Sequence, residues 1–239
     1  MSGFEARPDV SGRTRGSHGA ALTLSHRDED GARLASLLWE FGPGWRAISS
    51  AMLGGGIGPA AWMLNAQVVA GYSRMDPVEH LLELAPPGPG VGMLTAASVG
   101  HFTRARDGGA EVVATVGLRV PTWAAAPQGA ADPELAPILL PGTINIAVAV
   151  PVAMSDAALV NAVMTVTEAK TQALLEAGFP CTGTASDAVC VAAPDRAPGG
   201  PEELFGGPRS TWGARIARAV RAAVHQGARR WANRDALTT

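Results

Sequence analysis

Lysine and arginine together number 19 in this chain of 239 residues, and one of them, Lys170, is lysine. Arginine keeps its charge at any usable pH, whereas a desolvated lysine can give up its proton and serve as a base or nucleophile. A lone lysine among arginines is therefore a catalytic candidate. The competing explanation is a composition biased toward Ala, Gly, Arg and Pro that spared one surface lysine by accident. Position argues against accident. Ser155 and Asp156 supply an N-cap and an acidic first turn, nothing breaks the stretch to Ala177, and Gly178 followed by Pro180 ends it, which predicts a helix over 155–177. At about 100° per residue, Leu159, Val163, Val166, Lys170, Ala173 and Ala177 share one stripe, with Thr167 and Thr171 beside the lysine. An ammonium in an apolar face is costly unless a carboxylate meets it or it becomes neutral, and snorkelling of its stem toward water is the alternative.

Further polar groups stand where strands and loops would carry them to a site. Thr182-Gly183-Thr184 is a hydroxyl-bearing loop, and Asp187 opens a short apolar strand, a position that suits an active-site carboxylate as well as a turn or cap residue. In the predicted strand Ile144–Val150, Ile144, Ile146, Val148 and Val150 point one way. Thr143, Asn145, Ala147 and Ala149 point the other, so Asn145 sits on a face of small residues with room for a ligand. The run Gly54-Gly55-Gly56-Ile57-Gly58-Pro59 lacks the GxxxxGK[ST] pattern and reads as a turn or a close backbone approach to a ligand.

The elements that must hold these groups follow from patterning. Residues 1–19 are polar and aperiodic and read as a disordered tail. Ala21–His26 and Arg33–Phe41 read as a strand pair, with Trp45–Ser50 as a third strand. Asp76-Pro77-Val78-Glu79 starts a short helix through Leu84, with His80 at the surface. Gly92–Ser98 and Glu111–Val120 read as a hairpin flanking Asp107-Gly108-Gly109, in which Val112, Ala114, Val116 and Leu118 share a face and Thr115 lies on the other. Residues 124–141 read as a loop. A last helix, Thr211–Trp231, turns Trp212, Ile216, Ala219, Val220, Ala223 and Val224 inward and Arg215, Arg218, Arg221 and Arg229 outward. The expected fold is a single α+β domain over residues 20–234, with mixed β-sheets packed against the Lys170 helix and the C-terminal helix.

Composition narrows the class. With 47% apolar and 17% charged residues the chain is globular, and its net charge of −2 gives no footprint for nucleic acid or an anionic membrane. The absence of a membrane-spanning run and of a secretory h-region leads to the expectation of a cytoplasmic protein. Cys181 and Cys190 lack CxxC spacing, and Cys190 reads as core. The five histidines, His18, His26, His80, His101 and His225, are scattered, so no metal site and no cofactor are expected. Oligomeric state is left open.

Four strings in order, Leu94–Ser98 (LTAAS), Pro141–Asn145 (PGTIN), Thr167–Leu174 (TEAKTQAL) and Thr182–Ala188 (TGTASDA), resemble the adenosylcobinamide amidohydrolase family of corrinoid salvage. The similarity also takes in Ala114–Gly117, Ile48–Gly56 and the C-terminal helix, from about residue 20 to about residue 230. Leu53-Gly54 stands where the family pattern carries an asparagine, which leaves the loop backbone rather than that side chain for any contact. The resemblance implies hydrolysis of the amide joining aminopropanol to a corrin-ring propionate, giving adenosylcobyric acid from a corrinoid substrate, with cobalt entering only as part of that substrate. Amide hydrolysis needs a nucleophile, donors for the oxyanion and a proton for the amine. Lys170 suits the proton carrier, with Thr182, Thr184 or Ser186 as hydroxyl nucleophiles or water attacking directly, and Asp187 or Glu168 orienting. Thr143, Asn145, Thr182, Thr95, Thr115, Asn65, Gly55 and Gly56 are the substrate-side candidates, and the six tryptophans permit contact with the ring. Two other readings fit the same residues: a corrinoid-binding carrier without turnover, and an amidohydrolase or peptidase acting on a different amide.

Overall fold

The alternation in Ile144–Val150 decides how the layers stack. A computed structural model of the chain describes residues 9–15, 20–129 and 142–238. One sheet orders β1 (Asp9–Arg15), β2 (Ala21–Glu29), β3 (Ala32–Glu40), β6 (Trp62–Gln67) and β7 (Gly90–Thr95). The other orders β5 (Gly56–Pro59), β4 (Trp45–Ser49), β11 (Ala188–Pro194), β10 (Ile144–Ala149), β9 (Ala110–Val116) and β8 (Thr103–Asp107). The central strand β10 sends Ile144, Ile146 and Val148 into a core shared with α2 (Asp156–Glu176) and α3 (Thr211–Thr238). Its other face, through Ala147 and Ala149, meets Leu37, Trp39, Met63 and Met93 of the first sheet. Small side chains on β10 thus let large ones on the first sheet fill the space between sheets. Leu81 of α1 (Pro77–Leu84) covers Trp62 and Leu64 on that sheet's outer face. The result is a single α+β domain with helices outside two packed mixed sheets, as expected from the sequence.

The strands β10 and β11 are parallel neighbours, so the chain between them must cross back, and α2 is the crossover. At 1.5 Å per residue Lys170 lies about 20 Å along the helix from its start, close to the run of about 20 Å that six strand residues make. Lys170 is therefore carried back to the end of the sheet where β10 and β11 begin. Ser155 caps α2, its side chain accepting from the Ala158 amide, and the inward residues named for α3 are all buried.

Three expectations need correction, and two strands carry no signal in the sequence. Residues 9–15, read as part of a disordered tail, form β1 and pair with β2 from Asp9↔His26 to Arg15↔Ala21. The pairing uses backbone groups at a sheet edge, which leave no apolar pattern in the sequence. The strand β6 goes unseen in the sequence because it is buried on both faces and so lacks alternation. The glycine run does not stay a loop throughout: Gly56–Pro59 is β5, and Gly54, with φ +71°, packs its Cα on the Gly90 carbonyl. Finally, Gly92–Ser98 does not pair across Asp107-Gly108-Gly109. The hairpin there joins β8 and β9, while β7 runs parallel to β6 in the other sheet. The strand β8 reads TRARD and carries no apolar alternation. Its Arg104 and Arg106 pair with Glu111, which is fully buried. Of the predicted loop 124–141, residues 130–141 lie outside the described residues, as do 1–8 and 16–19 of the tail.

The two faces of β10 should respond oppositely to size. Ile146→Ala should cost about 2–5 kcal/mol by opening the helix-side core. Ala147→Leu should cost about 1–3 kcal/mol by overpacking the gap between the sheets. Urea unfolding measures both, and a tolerated leucine at 147 would mean the sheets are not in close contact there.

Candidate functional site

Asp187 stands one residue before β11, beside the first residue of β10, and its carboxylate collects donors from three directions. Lys170 Nζ donates to Oδ2 at 2.5 Å, the Thr184 amide donates to Oδ2 at 3.1 Å, and the Ile144 amide donates to Oδ1 at 2.9 Å. The Thr184 hydroxyl donates to Oδ1 as well. Two carboxylate oxygens offer about four lone-pair positions, so the acceptor capacity is filled. Both side chains of the Lys170–Asp187 pair are 9% exposed. The carboxylate expected to meet the buried lysine is thus Asp187, and the lysine does not snorkel. Gly183 passes over the pair: a Cβ there would fall 2.5 Å from Lys170 Nζ and closer still to Asp187 Oδ2.

Beside this pair opens a cleft of about 550 Å³ between the two sheets' ends. Thr143, Ser186 and Asp187 line it from the second sheet, and Met93, Leu94 and Thr95 from β7. Ser50 and Met52 of the loop after β4, and Val68, Tyr72 and Arg74 of the segment after β6, complete its walls. The Thr143 and Ser186 hydroxyls are 2.8 Å apart. Asp187 is the one carboxylate among the described lining residues, and Lys170 lies behind it rather than on the wall. The two charged groups on the wall are both compensated: Asp187 by Lys170, and Arg74 by Asp76 and Glu83. An uncharged, partly apolar ligand with hydrogen-bonding groups suits such a surface.

A polar bridge between the sheets lies under the cleft. Asn65 of β6 donates to the Thr115 hydroxyl at 3.0 Å. Asn145, opposite Thr115 in the β9–β10 register, donates to Asn65 Oδ1 at 2.9 Å and to the Leu94 carbonyl at 3.0 Å. Two acceptors around its nitrogen fix the orientation of the Asn145 amide, whose Oδ1 has no hydrogen-bond partner among the described residues. These three side chains are buried and position Leu94 and its neighbours instead of lining the cleft.

The sequence candidates therefore separate. Thr143, Thr95, Ser186 and Asp187 meet at the cleft; Lys170 and Thr184 hold Asp187 from behind; Asn65, Thr115 and Asn145 form the bridge below. Glu168 falls elsewhere, exposed on the outer side of α2, because it is two residues from Lys170 and hence on another face. Thr182 turns to the Thr122–Ala124 segment, where its hydroxyl bonds the Thr122 carbonyl and the Ala124 amide. Gly55 packs on the Ala51 carbonyl and Gly56 opens β5, both off the cleft wall. His80, expected at the surface, is 1% exposed. The unanticipated cleft residues are Ser50, Tyr72 and Arg74. Tyr72 carried a signal of the same kind as Lys170, being the chain's one tyrosine. Neither cysteine suits a nucleophile, since burial pushes the Cys190 thiol up to about 12 and raises that of Cys181.

The close passage of Gly183 makes it the most sensitive position around the pair. Gly183→Ala should part Lys170 from Asp187 and lower stability by about 3–5 kcal/mol, the scale of leaving a buried ion unpaired. Lys170→Met should cost a similar amount by removing one partner. If thermal unfolding finds Gly183→Ala as stable as the parent, the loop does not clamp the pair.

Residues 21–236 match the family described as adenosylcobinamide amidohydrolase. A Halobacterium salinarum protein named adenosylcobinamide amidohydrolase is 41% identical over 134 residues, 55% of this chain and 55% of its own length. One of the same name from Methanosarcina mazei is 28% identical over 186 residues, 74% of this chain and 86% of its own. The matched stretch thus spans about half the length of the first relative and most of the second. With a family match running from β2 through α3, the chain belongs to the adenosylcobinamide amidohydrolase family.

Proposed function

We propose that this protein hydrolyses the amide that joins aminopropanol to the corrin-ring propionate of adenosylcobinamide, releasing aminopropanol and adenosylcobyric acid for cobamide salvage. The observation that carries the reading, beside family membership, is one carboxylate on the cleft wall, Asp187, backed by the chain's lone ammonium. Water adds to the amide carbonyl and gives a proton to Asp187 as its oxygen bonds to carbon. The Thr184 hydroxyl is a rotor, so turning it away from Oδ1 opens the lone pair that receives this proton. Asp187 then hands the proton to the amide nitrogen as the C–N bond breaks, and aminopropanol leaves as the amine. Lys170 acts through Asp187, holding its orientation and balancing its charge. The Thr143–Ser186 hydroxyl pair supplies hydrogen bonds to the attacking water or to the developing oxyanion. The compensated charges of the cleft and its Val68, Met93 and Met52 surfaces support a neutral-sided, broad ligand over a charged peptide.

Incubation with adenosylcobinamide should release aminopropanol, seen by mass spectrometry as its loss from the corrinoid. Asp187→Asn and Lys170→Met should each lower kcat by about two to four orders of magnitude, the scale of general acid–base help. Ser186→Ala should lower it only about tenfold if the hydroxyl orients water, and abolish turnover if Ser186 is itself the nucleophile. Tight binding without release by the parent protein would make it a corrinoid carrier instead.

A further inference from the structure

One group of titratable side chains, gathered around a buried histidine, takes no part in the chemistry above. His80, 1% exposed on α1, has its Nε2 2.7 Å from Glu29 Oε1 at the end of β2. Its Nδ1 lies 3.0 Å from the hydroxyl of Tyr72. The tyrosine ring stacks on the imidazole at 5.5 Å between centroids, and Tyr72 lines the same cleft as Ser186 and Asp187. Glu29 is itself fixed, accepting from Arg27 at 2.6 Å, while Arg27 reaches the Gln67 carbonyl at the end of β6 at 2.7 Å. The chain Arg27–Glu29–His80–Tyr72 thus runs from the first sheet to the cleft wall.

Its polarity follows from donor and acceptor counting. A carboxylate only accepts, so Nε2 carries the hydrogen that faces Glu29. With the imidazole in its neutral form, Nδ1 is then the acceptor and the Tyr72 O–H donates to it. In that arrangement the phenolic hydrogen is committed and the phenolic oxygen keeps lone pairs for the cleft. Burial raises the phenol above its ordinary value, so Tyr72 stays un-ionised and meets a donor as a neutral acceptor.

We propose that Tyr72, held by His80 and Glu29, is a specificity-determining residue of the cleft that accepts a hydrogen bond from an N–H of a side-chain amide on the ligand. His80 is its positioning residue. The proposal rests on the corrinoid reading above and adds the way the ligand's amides are distinguished from groups without donors. Arg74, the cleft's other polar group near Tyr72, spends its guanidinium on Asp76 and Glu83. The neutral acceptor is therefore the group on that wall left to select the ligand.

The test compares binding of adenosylcobinamide with binding of a fully methyl-esterified corrinoid, which has the ring but no side-chain N–H. Tyr72→Phe keeps the ring and its stacking and removes only the hydroxyl. It should weaken adenosylcobinamide about 5–10-fold, the worth of one neutral hydrogen bond, and raise KM more than it lowers kcat. The ester's affinity should be the same for parent and variant. His80→Gln, whose amide can donate to Glu29 and accept from Tyr72, should retain adenosylcobinamide affinity within about threefold, while His80→Leu should match Tyr72→Phe. Should His80→Leu fail to fold, the amide and ester comparison in Tyr72→Phe decides alone. Equal affinities in parent and Tyr72→Phe, or equal losses for both corrinoids, would overturn the role of Tyr72 and leave the proposed reaction standing. A parent protein that binds no adenosylcobinamide would overturn the reaction and the role of Tyr72 together.

Discussion

The Asp187 carboxylate is the point at which the site is tied together. Its four donors come from the start of β10, from α2 and from the Thr184 loop, so one side chain locks strand, helix and loop in register. A buried ion pair contributes little net stability, because desolvation offsets most of the Coulomb gain. What it contributes here is geometry. An error of one turn in α2 would carry the ammonium about 5 Å away and leave Asp187 short of a donor. The crossover length is therefore constrained by chemistry as much as by packing, and Gly183 is constrained because no side chain fits above the pair.

The second constraint is the meeting of two sheets at the cleft's floor. Large side chains such as Trp39 and Met63 on one sheet face Ala147, Ala149 and Ala192 on the other, which brings the sheets close along most of their length. Where the strands end, Asn65, Thr115 and Asn145 replace apolar contacts by hydrogen bonds, and the sheets part into the cleft. Polar groups in that position cost desolvation, and pairing across the gap offsets it for all but Asn145 Oδ1, which has no partner among the described residues. Leu94 belongs to both layers of this arrangement: its carbonyl accepts from Asn145 and its residue lines the wall above. A disturbance of the bridge therefore reaches the cleft without touching a group that faces it.

What the sequence made legible divides along physical lines. The helix around Lys170 could be read because its cap, its stop and its apolar stripe are all local, and the two faces of β10 because alternation is local too. The cost of a buried charge leaves Lys170 either paired or neutral, with Glu168 and Asp187 both within the sequence's reach, and only the fold, by turning Glu168 to the outer side of α2, selects Asp187. Pairing was not legible in the same way. The strand β8 carries arginines whose partner is a buried glutamate on β9, and nothing in TRARD announces that Glu111 will be enclosed. The strand β1 is held by edge hydrogen bonds, and β6 is covered on both sides, so neither has the period-2 signal. His80 misled for a related reason. A histidine on a short helix is ordinarily solvated, and the arrival of Glu29 from a distant strand, beside Tyr72 from the segment just before the helix, makes burial tolerable.

Rarity of residue type turns out to mark the cleft twice. The lone lysine backs its carboxylate, and the lone tyrosine stands on its wall. Each does something that the common residues of this chain cannot. Arginine could not lie beneath Gly183 with a single compact ammonium against Oδ2, since its fork needs room for five N–H donors. Phenylalanine, available elsewhere in the chain, could stack on His80 but could not take part in its hydrogen bond. A composition biased toward arginine and small residues thus becomes informative at the places where it yields. The two exceptions also divide the work of the cleft by charge. On one side an ion pair is closed on itself and exposes only the carboxylate, and on the other a neutral oxygen is held by a chain that begins at Arg27. With the formal charges among the described lining residues already matched, a charged ligand would meet no free partner there. On the proposed reading, an amide would be recognised by the neutral oxygen on one side and attacked beside the carboxylate on the other.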